Sequence, residues 1–159
     1  MKHGIGLGIA TGLLGGLVLL AGPAAASGSH RAAVGRVALP GPSYLVLRSG
    51  PAGGARPTRA DEVEIRYVGR LGDGSIFSTS AANGAGTSRF PVRGVIPGFA
   101  ALVRLMRPGD RWRFFLPAYL AYGAEGKTYR PGDPNLKRDI PPDSPLVFDV
   151  ELVSVISGR

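Results

Sequence analysis

Polar and apolar residues alternate strictly along Glu62-Val63-Glu64-Ile65-Arg66-Tyr67, which sends Val63, Ile65 and Tyr67 to one side and the charges to the other. Such a period of two predicts a half-buried strand. Ser43 to Arg48 alternates as well, with Tyr44, Val46 and Arg48 expected on one face and Leu45 and Leu47 on the other, before Gly50-Pro51-Ala52-Gly53-Gly54 ends the run. Asp73-Gly74 supplies turn chemistry, after which Ser75 to Ser78 returns as a strand carrying Ile76 and Phe77. Arg111 to Leu116 turns Trp112, Phe114 and Leu116 one way, and Leu146 to Val155 sets Leu146, Phe148, Val150 and Leu152 against Asp149 and Glu151. One helix is predicted, over Pro97 to Leu105: it opens on Pro, spaces Phe99, Leu102, Val103 and Met106 helically, and stops at Pro108-Gly109-Asp110. Thr79 to Ser88 and Gly123 to Asp143 read as loops, the second long enough to carry function. About five strands and one short helix make an α+β domain whose antiparallel sheet covers its apolar face with that helix.

Composition narrows the chemistry. The chain has 159 residues, 44% hydrophobic and 19% charged, which is enough for one domain with its own core. Its 25 Gly and 14 Pro follow no fixed period, so collagen and solenoid architectures are excluded. There is no Cys, which removes disulfides, thiolate metal sites and cysteine nucleophiles. The two histidines, His3 and His30, lie outside every segment that reads as core, so imidazole catalysis and a metal site are not expected. Net charge is +8, and sixteen of the nineteen cations are Arg dispersed along the chain from Arg31 onward. That pattern reads as a basic surface, and nucleic acid or another anionic surface ranks last among the partner classes.

The first 26 residues carry Lys2 and His3, an apolar stretch from Ile5 to Ala21 and a small-residue Ala24-Ala25-Ala26 site, the three-part pattern of a secretory signal peptide cut before Ser27. An uncleaved membrane anchor is the alternative, and no stable membrane insertion is expected once the segment is removed. Residues 27–42 read as a flexible leader and residues 43–159 as the folded domain. Export to the periplasm is expected, with secretion or anchoring by the uncleaved segment as alternatives.

The order of motifs within the domain is more specific than any one of them. Val63 to Phe77, then Phe90, Val95-Ile96-Pro97-Gly98-Phe99, Arg107-Pro108-Gly109-Asp110, Leu120-Ala121-Tyr122-Gly123, Ile140-Pro141-Pro142 and Leu146 to Leu152 resemble the FKBP-type peptidyl-prolyl cis-trans isomerases, closest to the catalytic domain of exported bacterial members. The resemblance implies a curved sheet wrapped around the helix with the pocket between them. It implies a folding catalyst that twists X-Pro amides without covalent chemistry or a cofactor, acts on proline-containing polypeptides, and takes macrolide inhibitors. Carried over by position, Tyr122, Phe77, Phe148 and Phe99 are the expected catalytic side chains, and Tyr67, Val95, Ile96, Ile140, Phe90 and Ser78 the expected substrate-binding ones. Phe99 stands where most members have Trp and would be the pocket floor, Tyr122 would donate its hydroxyl to a substrate carbonyl, and Ile96 would offer a backbone N–H.

Two features depart from the family pattern. After Phe77 most members have Asp, whereas this chain has Ser78-Thr79-Ser80; and Lys127 to Asp139 is longer than the usual loop before Ile-Pro-Pro. Loss of the wall carboxylate motivates a second reading, a non-catalytic proline-peptide binding module or chaperone. Alternation alone cannot tell a filled core from a lined cavity at Tyr67 and Phe148, while Trp112, Phe114 and Leu152 read as core and Tyr119 as structural.

Overall fold

A computed structural model describes residues 39–83, 86–133 and 138–158; the expected signal peptide and most of the expected leader lie outside them. Six strands form one antiparallel sheet: β1 (Ser43–Arg48), β2 (Glu62–Leu71), β3 (Ile76–Thr79), β4 (Ser88–Pro91), β5 (Arg111–Leu116) and β6 (Leu146–Ile156). The single α-helix, α1, spans Pro97–Val103. Strand order is β1-β5-β6-β2-β3, with β4 also on β2. The longest ladder joins β2 to β6, from Glu62↔Ile156 to Leu71↔Leu146.

The free edge of β2 is shared by two short strands. β4 pairs with Glu62 to Ile65, and β3 with Val68 to Arg70. Where the two partners leave a gap, side chains take over the backbone hydrogen bonds: Tyr67 N–H donates to Ser80 Oγ at 3.0 Å, and Thr79 Oγ1 donates to the Tyr67 carbonyl at 3.2 Å. Tyr67 is thereby held in the strand at the point where the sheet changes partner. β4 is a strand the alternation pattern missed, because four residues ending in Pro91 are too short for a period of two to register.

The apolar faces predicted from alternation meet in one core. Val63, Ile65, Phe114, Leu116, Leu146, Val150 and Leu152 face inward from the sheet and are almost fully buried, against Leu102, Val103 and Met106 from the helix and the turn after it. Burying such side chains gains roughly 1.5–3 kcal/mol each. Helix and sheet come close because position 98 is Gly: a Cβ there would lie 3.0 Å from Leu116 Cδ2 and 3.2 Å from Leu120 Cβ. The helix ends at Val103, two residues earlier than expected, and Leu105 and Met106 bond back in tight i→i−3 turns to Leu102 and Val103. Asp110 closes that turn, accepting from Gly50 N at 2.6 Å and Arg107 N at 2.7 Å.

One face assignment needs correction. Tyr44 and Val46 lie opposite Phe114 and Trp112, and Tyr44 stacks on Trp112 with centroids 4.4 Å apart. Arg48 does not share their face: a bulge between Val46 and Arg48 sets it opposite Arg111, and its guanidinium donates to Glu151 Oε1 at 2.9 Å on the outer face. An extra residue in a strand shifts every later side chain, and sequence alternation does not reveal it.

The strand ends are tied by Asp61. Its carboxylate accepts from Thr58 N at 2.7 Å, Thr58 Oγ1 at 2.8 Å and Gly158 N at 3.1 Å, so it clasps the entry to β2 and the exit from β6 together. Those donors, Thr58's backbone first, hold its pKa below the ordinary carboxylate value. A folded-state pKa depressed in this way contributes stability that is present above the unfolded value, about 3.9, and is lost as pH falls through the folded one. Thermal unfolding from pH 6 to 2 should therefore show a melting temperature that drops below about pH 4, and Asp61→Asn should melt several degrees lower at neutral pH with a shallower acid limb. Equal acid limbs in the two proteins would rule the clasp out as a source of acid sensitivity.

Candidate active site

Between the helix and the concave side of the sheet lies a pocket of about 340 Å³. Strand β2 supplies Ile65 and Tyr67, β3 supplies Phe77 and Ser78, β4 supplies Phe90, and β6 supplies Phe148. Val95, Ile96 and Phe99 enter from the start of the helix, and Tyr122 from the turn after β5. Nine of the ten side chains expected at a binding site thus line one cavity.

Phe148 is the hub of its aromatic wall. Its ring lies tilted against Tyr67 at 6.4 Å and 47° and meets Phe99 at 5.3 Å and 80° and Phe77 at 5.5 Å and 88°, edge to face, and Phe99 in turn meets Phe114 edge to face at 5.3 Å and 73°. Edge-to-face contacts of this kind add about 0.5–1.5 kcal/mol each beyond area burial and fix ring orientation. Two rings close over position 69, where a Cβ would lie 2.7 Å from Phe77 Cζ and 2.9 Å from Phe148 Cε1. Gly69 is what lets Phe77 and Phe148 meet. Phe90 packs edge-on against Tyr67 at 5.9 Å.

The polar groups are few and separately employed. Tyr67 Oη and Ser78 Oγ share a hydrogen bond of 2.8 Å, so the serine that replaces the family's usual carboxylate still holds the tyrosine. The Tyr122 hydroxyl lines the cavity and makes no hydrogen bond among the described residues, while Lys127 Nζ sits 5.3 Å from its ring centroid. Burial, foremost, pushes both tyrosine pKa values up, and the Asp133 charge adds to the rise at each. Both phenols accordingly stay protonated and remain hydrogen-bond donors. The Ile96 carbonyl accepts the helix's first bond, from Ala100 N at 3.0 Å, and its own N–H has no protein partner among the described residues.

Ile140, the tenth expected residue, is not in the lining. It exchanges two 2.8 Å backbone bonds with Lys127 and its side chain is buried in the core, so it anchors the long loop to the core. Gly126 permits that bridge, since a Cβ there would lie 2.3 Å from the Ile140 carbonyl oxygen. Four lining residues were not predicted: Ile65, Gly94, Lys127 and Asp133. Ile65 was legible as inward-facing but not as lining. Lys127 and Asp133 belong to the aperiodic loop, where no pattern marks direction.

Known proteins match this arrangement. A family profile described as FKBP-type peptidyl-prolyl cis-trans isomerase matches residues 53–153. Among curated proteins, the FKBP-type 22 kDa peptidyl-prolyl cis-trans isomerase of Escherichia coli is 40% identical over 116 residues, covering 73% of this chain and 50% of that one. The outer membrane protein MIP of Legionella longbeachae is 35% identical over 128 residues, 80% of this chain and 50% of that one. Among solved structures, a peptidyl-prolyl cis-trans isomerase from Pseudomonas syringae superposes with a TM-score of 0.60 at 37% identity, covering 73% of this chain and 76% of that one. FkpA from Escherichia coli superposes at 0.63 and 34%, covering 75% and 50%. The chain spans about half the length of the curated relatives it matches.

Proposed function

Because this chain belongs to the family of FKBP-type peptidyl-prolyl cis-trans isomerases, we propose that its pocket catalyses cis-trans isomerisation of X-Pro bonds in unfolded or folding polypeptides. The observation that carries the reading is an aromatic box centred on Phe148 that leaves one phenol, Tyr122, without a hydrogen-bond partner among the described residues and available to donate into the cavity. The barrier to rotation is loss of amide resonance, about 18–20 kcal/mol for a peptide bond. A twisted amide is less charge-separated than a planar one, so transfer into an apolar enclosure disfavours the planar form more and lowers the barrier between them. The proline ring rests on Phe99 between Phe77 and Phe148, and Tyr122 Oη and Ile96 N–H receive the flanking carbonyls. Phe is smaller than the Trp common at the floor position, which deepens the pocket. The same donors and floor fit the macrolide inhibitors of the family.

A second reading, a proline-binding module without efficient turnover, is favoured only by Ser78. Its hydroxyl bonds Tyr67 where a carboxylate would add negative potential. Exchange NMR on a short X-Pro peptide with residues 27–159 separates the two. Acceleration of cis-trans exchange supports the isomerase, whereas binding without acceleration supports the module. Because Ser78 already fixes Tyr67, Ser78→Asp is expected to change turnover less than about threefold; a gain of tens-fold at unchanged peptide affinity would favour the module.

Turnover in such a site depends on no titrating acid or base. With both tyrosine pKa values raised above the ordinary value of about 10, their donor forms persist through neutral pH. The exchange rate constant for the bound peptide should be flat from pH 6 to 9, and a tenfold slope in that interval would implicate a titrating group this reading lacks.

Export of the chain by its amino-terminal segment, followed by action on other exported proteins, completes the proposal. Among the described residues no helix is long and apolar enough to cross a membrane, and one relative is named an outer membrane protein.

A further inference from the structure

The outer edge of the sheet, opposite the pocket, has a composition that folding does not explain. Seven of the nine exposed large apolar or aromatic side chains among the described residues lie on β1, the residues leading into it, and the adjoining β5 and its following turn. Every β1 residue is exposed although four of its six are Tyr44, Leu45, Val46 and Leu47. Leu45 is 53% exposed and Phe115 41% exposed, and pairing sets Leu45 opposite Arg113 and Ser43 opposite Phe115, so these two apolar side chains share the outer face. Scattered exposed apolar residues are ordinary, but a group gathered along one strand edge marks an interaction surface.

Cations surround that group. Register lines up Arg66, Glu151 and Arg111 across three strands, with Arg113 and Asp149 in the next row and Arg48 opposite Arg111. Glu151 Oε1 accepts from both Arg48 and Arg66, at 2.9 and 3.5 Å, and Arg113 grips Asp149 with two bonds of 2.6 and 2.9 Å. Two carboxylates thus hold three guanidiniums in a fixed array. Arg111 makes no ion pair among the described residues, and Arg70, near enough to act on Asp149, adds another cation on the same side. This half of the face therefore carries a surplus of positive charge beside exposed aliphatic and aromatic groups.

We propose that the β1 edge and the arginine face beside it dock the domain onto an anionic lipid surface. Apolar side chains reaching the headgroup boundary and cations meeting anionic headgroups are the two contributions that peripheral binding requires, and here they lie side by side. The alternatives fit less well. A second copy joined through this edge would set like charges against each other, which is repulsive in a two-fold interface. An added peptide strand would meet the bulge at Leu47, a feature that twists an edge away from further pairing. A soluble polyanion would use the arginines but not Leu45 or Phe115. Neither β1 nor β5 contributes a residue to the pocket lining, so the docked domain keeps its pocket open to polypeptide.

The test is sedimentation of residues 27–159, which keep every strand and core residue among the described ones, with vesicles of phosphatidylcholine alone or with phosphatidylglycerol added. Binding is expected only to the anionic vesicles and should weaken with salt. Arg66→Gln with Arg111→Gln, and separately Leu45→Ser with Phe115→Ser, should each lower the partition coefficient about tenfold or more. Unchanged exchange kinetics with the X-Pro peptide would show that both double variants remain folded. No binding to anionic vesicles, or equal binding by the wild type and either variant, overturns the proposal. Retention on heparin that is indifferent to Leu45 and Phe115, without vesicle binding, overturns it in favour of a soluble polyanion. Self-association abolished by the Leu45 and Phe115 changes, again without vesicle binding, overturns it in favour of a second copy.

Discussion

Phe148→Ala is expected to lower X-Pro turnover by at least about a hundredfold and to destabilise the domain by about 3–5 kcal/mol, the usual range for deleting a buried phenyl ring. Only 6% of Phe148 is exposed, and its ring is the shared partner of Phe99, Phe77 and Tyr67. Truncation removes two edge-to-face contacts and one tilted ring contact at once and joins the vacated volume to the pocket. Water then reaches the bound amide, and the planar, charge-separated form is stabilised again. The loss of turnover should exceed what unfolding explains, so exchange is measured at low temperature, where circular dichroism shows the variant folded. Phe148→Leu, which keeps most of the volume but none of the ring geometry, should recover most of the stability and little of the turnover. If Phe148→Leu restores both, ring geometry is irrelevant and the pocket works by volume alone.

Gly69→Ala is expected to cost about 1–3 kcal/mol and at least tenfold in turnover, although it adds a single methyl. The position needs no special backbone angle. It needs emptiness, because a Cβ would sit 2.7 Å from Phe77 and 2.9 Å from Phe148, inside van der Waals contact with both. Both rings are buried, so neither can swing into solvent, and the pair must splay or β2 must move from β6. Either movement changes the shape of the proline slot. The second-site test is Gly69→Ala with Phe77→Leu: the shorter side chain should return part of the lost stability, a non-additivity of at least about 0.5 kcal/mol in urea unfolding. Strict additivity would mean that the methyl and the ring do not meet.

What the chain displays in advance depends on which physical constraint a residue obeys. Val63, Ile65 and Tyr67 were readable because a strand with one buried face must alternate, and the helix over Phe99 to Val103 because three and four residue steps return to one side. Family likeness, not periodicity, distinguishes Tyr67 and Phe148 as pocket from Phe114 and Leu152 as core, since all four obey the same alternation. Arg48 was misplaced because a bulge leaves no trace in polarity. Ile140 is a pocket residue by sequence likeness yet a core residue in space, since its backbone pairs with Lys127 and its side chain is buried in the core. Asp133 and Lys127 reach the cavity from a loop without any period. Their approach is decided by loop closure around Gly126, and no local pattern encodes that.

The position of β6 has a consequence for how the molecule is made. This strand follows the other five in the sheet, yet lies between β5 and β2 and carries the longest ladder, so the centre of the fold forms only after the rest of the sheet has been made. Until about residue 156 has emerged, β2 lacks its principal partner and β5 keeps only the solvent-exposed β1, and neither apolar face is closed. Assembly across such long sequence separations is slow compared with local helix formation. A nascent chain carrying these residues thus cannot close its core until β6 is available to pair, and folding of this domain waits on a single strand.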